Sequence, residues 1–196
     1  MGRSHISPIQ QPDNLTCGPA SLKLALSILG KRKSLSSLIE LCKTNGQGTS
    51  TKKMVQAVNK LGLPALVVEY ATLHHVQSAL KYRPNQPRAV LVSYLYDLDH
   101  KDEPHPESGH WAVVSSFSAR RSRIILLDSS SGKKKSYDWQ TFRDRWMDYD
   151  LKRKRLKKNS QKFQLVRKWQ QQLMMVIARN EAYLPKFKIS TARLFA

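Results

Sequence analysis

A thiol at the start of an apolar helix is the first group in this chain whose type and position suggest covalent chemistry. Cys17 stands in QPDNLTCGPASL, after a turn-prone segment and ahead of the apolar run LKLALSIL. A cysteine there feels the positive end of the helix macrodipole, which favours the thiolate, the form that attacks carbonyl carbon. Gln11 lies upstream, where its amide NH2 can fold back over the same helix end. It would then donate to an oxyanion together with the Cys17 backbone N–H. Taken alone, Cys-Gly-Pro at a helix start reads more simply as a small apolar residue at a tight turn. Catalysis therefore requires a base and an orienting acid elsewhere.

Six histidines are available as the base. His5 belongs to the N-terminal arm. His74 and His75 fall in TLHHVQSALK, where Leu73, Val76 and Leu80 have helical spacing, so both belong on a helix surface. His100 and His105 lie in the polar, proline-bearing loop LDHKDEPHPESG. His110 differs, because it follows Gly109 and opens HWAVVSSF, a run of apolar and β-branched residues that reads as a strand. An imidazole on the first residue of a buried strand is held rigidly at the loop end of the sheet, where a general base belongs. The next strand-like run, RIILLDSSSG, ends in Asp128. Successive strands tend to pair, and a hairpin across SARRSR brings His110 and Asp128 to the same edge. An ionised Asp128 there would hold the imidazole tautomer and stabilise imidazolium. Asp128 also suits the simpler role of capping the turn Ser129–Gly132.

These side chains need a scaffold of both element types. Apolar spacing predicts helices over 17–29, 34–43, 51–61, 72–81 and 139–147. Strands are expected over 64–70, 88–95, 110–117 and 123–128. Ser34, Ser50 and Thr72 are suitable N-caps, and Gly62 sits where a C-cap glycine belongs. Helices first and strands later give an α+β domain, its antiparallel strands packed on the cysteine-bearing helix with a cleft between two lobes. With 196 residues, 40% of them hydrophobic, the chain can bury a substantial core. The only other cysteine, Cys42, falls on the apolar side of a short helix and reads as packing. Two cysteines imply no disulfide framework, and a reduced compartment suits a free thiol. No CxxC pair or HExxH motif occurs, so neither a metal nor a cofactor is expected. No apolar run long enough to span a membrane and no secretory h-region is visible, which points to a cytoplasmic protein.

Charge is distributed unevenly. The net charge is +20, and residues 151–196 hold 13 Lys/Arg against a single acid, Glu181. The organisation expected is a catalytic domain over 1–150 and a basic extension over 151–196. Val166, Trp169, Leu173, Val176, Ile177 and Leu184 fall near helical spacing, so the extension is expected to form an amphipathic helix behind LKRKRLKKNSQK. That helix could pack on the catalytic domain. Alternatively, the Lys152–Lys158 run could meet an anionic membrane surface or nucleic acid. KRKRLKK also resembles a nuclear-localisation cluster, and delivery into another cell is a further option.

The constellation of Gln11, Cys17, His110 and Asp128, carried by CGPASL, GTSTKKMVQAVNKLGL, GHWAVV and ILLDSSSG, resembles a known family. It is similar to the papain-like cysteine peptidases related to the bacteriocin-leader-processing (double-glycine) enzymes, in a stand-alone form. The resemblance spans roughly residues 6–149, including Pro87 ahead of RAVLVSYL and the closing WQTFRDRW. It implies a papain-like fold, with Cys17 as nucleophile, His110 as base, Asp128 as orienter and Gln11 as oxyanion donor. Exporter-linked members often carry a charged residue before the cysteine, where this chain has Thr16. No nucleotide-binding motif follows, so an exporter is not expected and leader specificity is not assumed. The function expected is hydrolysis of a peptide or isopeptide bond in a polypeptide substrate. Two alternatives remain: acyl transfer to an amine on the same triad, and a non-catalytic adaptor that binds acidic surfaces through its basic tail.

Overall fold

Three helix starts fall at the expected capping residues Ser34, Ser50 and Thr72. The structure, a computed structural model, describes residues 6–81, 85–156 and 162–196. His5, Lys157 and Lys158 lie outside the described residues. α1 (Cys17–Ile28) begins at the cysteine itself. The Ser34 side chain accepts from Ser37 N–H at the head of α2 (Leu35–Leu41), and Ser50 accepts from Lys53 N–H at the head of α3 (Thr51–Lys60). Thr72 precedes α4 (Leu73–Leu80), where its backbone N–H donates to His75 Nδ1 at 3.0 Å. Asp138 caps α5 (Trp139–Arg145) by accepting from the N–H groups of Gln140 and Thr141. Gly62, past the end of α3, takes a φ of +67°, which favours glycine.

The expected strands appear as β1 (Ala65–Val68), β2 (Arg88–Leu95), β3 (Gly109–Ser118) and β4 (Arg123–Asp128). They are joined by β5 (Lys133–Asp138), β8 (Met174–Ala178) and β9 (Ala192–Phe195) in an antiparallel seven-stranded sheet of order β5-β4-β3-β2-β8-β1-β9. β3 and β4 form the anticipated hairpin, with Val113 opposite Leu127. One face of the sheet packs on α1, α2 and α3 through Leu22, Leu26, Met54, Val58 and Trp111; the other packs on α4 and α5 through Val76, Phe142 and Trp146.

The amphipathic helix expected in the C-terminal extension is replaced by strands. β6 (Met147–Arg155) and β7 (Phe163–Gln171) pair as a separate two-stranded ribbon, and β8 lies between β2 and β1. MMVIA is buried at every position. A strand covered on both faces reads as a continuous apolar run and imitates a stretch of buried helix. Gln172, with a φ of +43°, breaks the chain between β7 and β8, where a helix would need continuity. The sheet thus crosses the boundary expected at residue 150. β5 was also not anticipated, because KKKSYD lacks the apolar alternation of a half-buried strand. Among the described residues, no helix is long and apolar enough to cross a membrane.

Candidate active site

The site lies where the N-terminus of α1 meets the adjacent ends of β3 and β4. Two contacts fix α1 against the sheet. Ser21 Oγ donates to the Trp111 carbonyl at 2.8 Å, and Trp111 Nε1 donates to the Thr49 carbonyl at 2.9 Å. Thr49 in turn packs on Gly18, where an added Cβ would stand only 2.7 Å from the Thr49 Cβ. The small residue after Cys17 therefore lets the α3 lead-in approach the helix start. Trp111 is a buried core residue.

Cys17, His110 and Asp128 are brought together. All three are buried. His110 Nε2 lies 2.9 Å from Asp128 Oδ1, and the Cys17 thiol lies close enough to the imidazole to favour its charged form. With Nε2 committed to the carboxylate, Nδ1 is the nitrogen left for sulfur. Burial works against a charged imidazole, but the hydrogen bond to Asp128 and the nearby Cys17 thiol outweigh it and push the His110 pKa up to about 9. Asp128 also experiences a burial penalty. The hydrogen bonds from His110 and Ser131 overcome that penalty and hold its pKa down at about 2.

The two contacts expected of Asp128, with the imidazole and with the turn, coexist because its oxygens divide them. Oδ1 meets the imidazole, while Oδ2 accepts from Ser131 N–H at 3.0 Å and Ser131 Oγ at 2.5 Å, with Lys135 Nζ 3.8 Å away. The turn cap thus holds the carboxylate that holds the histidine. Aromatic rings enclose the imidazole: Tyr96 at 4.9 Å and Tyr94 at 5.7 Å between centroids, with Lys135 Nζ over the Tyr96 ring at 3.6 Å.

Gln11 is tied to both sides of the site. Its N–H donates to the Ser129 carbonyl at 2.8 Å, and its Oε1 accepts from Ser129 Oγ at 2.7 Å. Its Nε2 donates to the Asp13 carbonyl at 2.7 Å, an oxygen that also accepts from Thr16 Oγ1 beside Cys17. One of the two amide hydrogens is therefore engaged, and the other is left for a further acceptor.

Asp148, at the start of β6, is a second carboxylate of this region that sequence reasoning missed. It accepts from Ser93 Oγ and, at 2.7 Å, from Tyr149 N–H. A Cβ on Gly109 would stand 2.3 Å from its Oδ1, which explains the glycine before His110. Burial pushes the Asp148 pKa up to about 6, the Ser93 and Tyr149 donors partly opposing, and His110 lies close enough to act on it electrostatically. Nothing in MDYD marks this role, since the contact depends on where β6 crosses β2 and β3.

The remaining candidates stay outside the cluster. His75 serves α4, and His105 Nδ1 accepts from Glu107 N–H within its own loop at 3.2 Å. Cys42 is fully buried, and that burial pushes its pKa up to about 12 against the weaker pull of Lys53, so it is a poor nucleophile. No group of His, Cys, Asp or Glu suited to a metal occurs among the described residues.

A helix-borne thiol packed against a sheet that carries histidine and aspartate defines a papain-like α+β protein. A profile of the Peptidase_C39 like family matches residues 4–151, and the chain belongs to that family of cysteine peptidases. Comparison with curated proteins gives no significant match. Among solved structures, the chain resembles the peptidase domain of Streptococcus ComA, a bi-functional ABC transporter involved in a quorum-sensing pathway. The identity is 21%, the TM-score is 0.63, and 90% of this chain and 100% of that one are covered. It also resembles a double glycine motif protease from an AMS/PCAT transporter, solved with the leader peptide (14% identity, TM-score 0.58, 91% and 95% covered). The peptidase domain of Streptococcus mutans ComA aligns with a TM-score of 0.51 at 20% identity, covering 88% of this chain and 98% of that one. These likenesses extend the fold beyond the family profile.

Proposed function

We propose that this protein hydrolyses a peptide bond in a polypeptide substrate, with Cys17 as nucleophile, His110 as acid and base, Asp128 as orienter and Gln11 as oxyanion donor. The observation that carries the reading is the 2.9 Å contact of His110 with Asp128, at the helix start where the Cys17 thiol lies close enough to act on the imidazole. In acylation, sulfur adds to the scissile carbonyl carbon, and the developing oxyanion meets the Cys17 backbone N–H and the free hydrogen of Gln11 Nε2. His110, having taken the thiol proton, delivers it to the nitrogen as the C–N bond breaks and the amine leaves. Water then attacks the thioester, His110 takes its proton, and the acid product departs as the thiol is restored. Loss of one oxyanion donor costs about 10²- to 10³-fold in rate.

The neighbouring double glycine motif protease was solved with a leader peptide, which supports a polypeptide substrate and makes a peptide containing a glycine pair the first to test. Cys17→Ala should abolish turnover while keeping the wild-type melting transition, and iodoacetamide should alkylate Cys17 far faster than Cys42. Undiminished turnover in Cys17→Ala would remove the nucleophile. Rapid labelling of neither thiol would favour the adaptor. Product analysis with a competing amine separates hydrolysis from acyl transfer, because the triad itself does not choose the acceptor.

A further inference from the structure

The β6–β7 ribbon lies outside the seven-stranded sheet and carries the densest positive charge in the chain. Its described residues 151–156 and 162–168 contain seven Lys/Arg and no Asp/Glu. Its root is fixed. Tyr149 Oη donates to Glu107 at 2.6 Å, Arg167 pairs with Glu107, and Thr51 donates to Asp150 and Gln170. Its outer half is exposed on both strands.

Register sorts the ribbon into two unlike faces. On one, Tyr149 stands opposite Trp169, Leu151 opposite Arg167, Arg153 opposite Leu165 and Arg155 opposite Phe163. The other carries Lys152 opposite Val166 and Lys154 opposite Gln164. The first face therefore interleaves arginine with large apolar side chains. Arg155 lies over the Phe163 ring at 5.7 Å, and Arg167 lies over Tyr149 at 4.9 Å. Four of the eight exposed large hydrophobics among the described residues, Leu156, Phe163, Leu165 and Trp169, belong to this ribbon, and Leu165 is 63% exposed.

Exposed leucines beside dense positive charge need a partner that is both anionic and apolar. The headgroup and acyl boundary of a bilayer supplies both, and tryptophan and tyrosine favour that depth. A nucleic acid would use the cations and could stack on the aromatics, but it offers little to Leu156 and Leu165. We propose that the β6–β7 ribbon docks the protein on an anionic lipid bilayer, with Arg153, Arg155, Phe163 and Leu165 facing the surface. The peptidase chemistry is independent of this docking.

The test is sedimentation of the full chain with vesicles of phosphatidylcholine alone or mixed with phosphatidylserine. Binding should require the anionic lipid. Arg153→Gln/Arg155→Gln should weaken binding about 25-fold, at roughly fivefold per charge. Phe163→Ser/Leu165→Ser should weaken it as well, and in that variant added salt should release what binding remains. All these side chains are exposed, so both variants should keep the wild-type melting transition. No binding of the wild-type chain to anionic vesicles overturns the proposal, whatever the variants do. Capture of an oligonucleotide without capture of vesicles overturns it in favour of nucleic acid. Vesicle binding indifferent to Phe163 and Leu165 overturns the insertion and leaves only attraction of charge.

Discussion

His110 is the residue on which pH should act most visibly. Its pKa is raised to about 9, so its contribution to stability is complete below its ordinary 6.5 and is lost as pH rises through about 9. Asp128 is depressed to about 2, so its contribution is present above its ordinary 3.8 and is lost as pH falls through about 2. The pair therefore supports the fold across the neutral range. Protonation of the leaving amine needs imidazolium, so kcat/KM should fall on an alkaline limb near about 9. Asp128→Asn removes a group that raises the histidine pKa. That limb should move to lower pH, and the rate should drop by about 10²- to 10⁴-fold. Asp148→Asn should move the limb the same way by less than about one pH unit, from loss of a single neighbouring charge. It should also erase an inflection near about 6 that belongs to Asp148 itself. A kcat/KM profile against pH for the three proteins reads all of this; an unmoved limb in Asp128→Asn would separate the carboxylate from the histidine.

The elements hold the thiol and imidazole in register through close approaches. Gly18 admits Thr49, whose carbonyl accepts from Trp111, whose own carbonyl accepts from Ser21 on α1. Gly18→Ala should cost about 1–3 kcal/mol through overpacking. Urea denaturation should report it as a lower midpoint at unchanged slope. Combined with Thr49→Gly, the losses should be non-additive, since removal of the Thr49 side chain relieves the clash. At this scale the hairpin of β3 and β4 was legible, because two apolar β-branched runs flanked a polar turn and each ended on a chemical group. Asp148 was not legible. Its place over Gly109 comes from the crossing of β6, which leaves no local periodicity.

For the molecule as a whole, β8 matters more than the basic tail around it. It pairs with β2 on one side and β1 on the other, so residues 174–178 join the two parts of the sheet. A chain ending at residue 150 should expose both edges together with the apolar faces around them, and should lack a cooperative thermal transition in calorimetry. A cooperative melt from that fragment would support the boundary at 150. The expected helix failed because the apolar residues of 166–177 fit a 3.6-residue period as well as they fit two strands broken at Gln172.

What the amino-acid order determined by itself was local: helix starts at their caps, four strands, and a thiol, an imidazole and a carboxylate each at the end of an element. Those features follow from short-range sterics, capping hydrogen bonds and apolar spacing, which neighbouring residues suffice to set. Only the tertiary structure decided that Asp128 serves turn and histidine with separate oxygens, that Asp148 closes over Gly109, and that the C-terminal segment completes the sheet. Each of these depends on contacts between residues distant in the chain, and such contacts arise from the packing of surfaces that no short window of sequence contains.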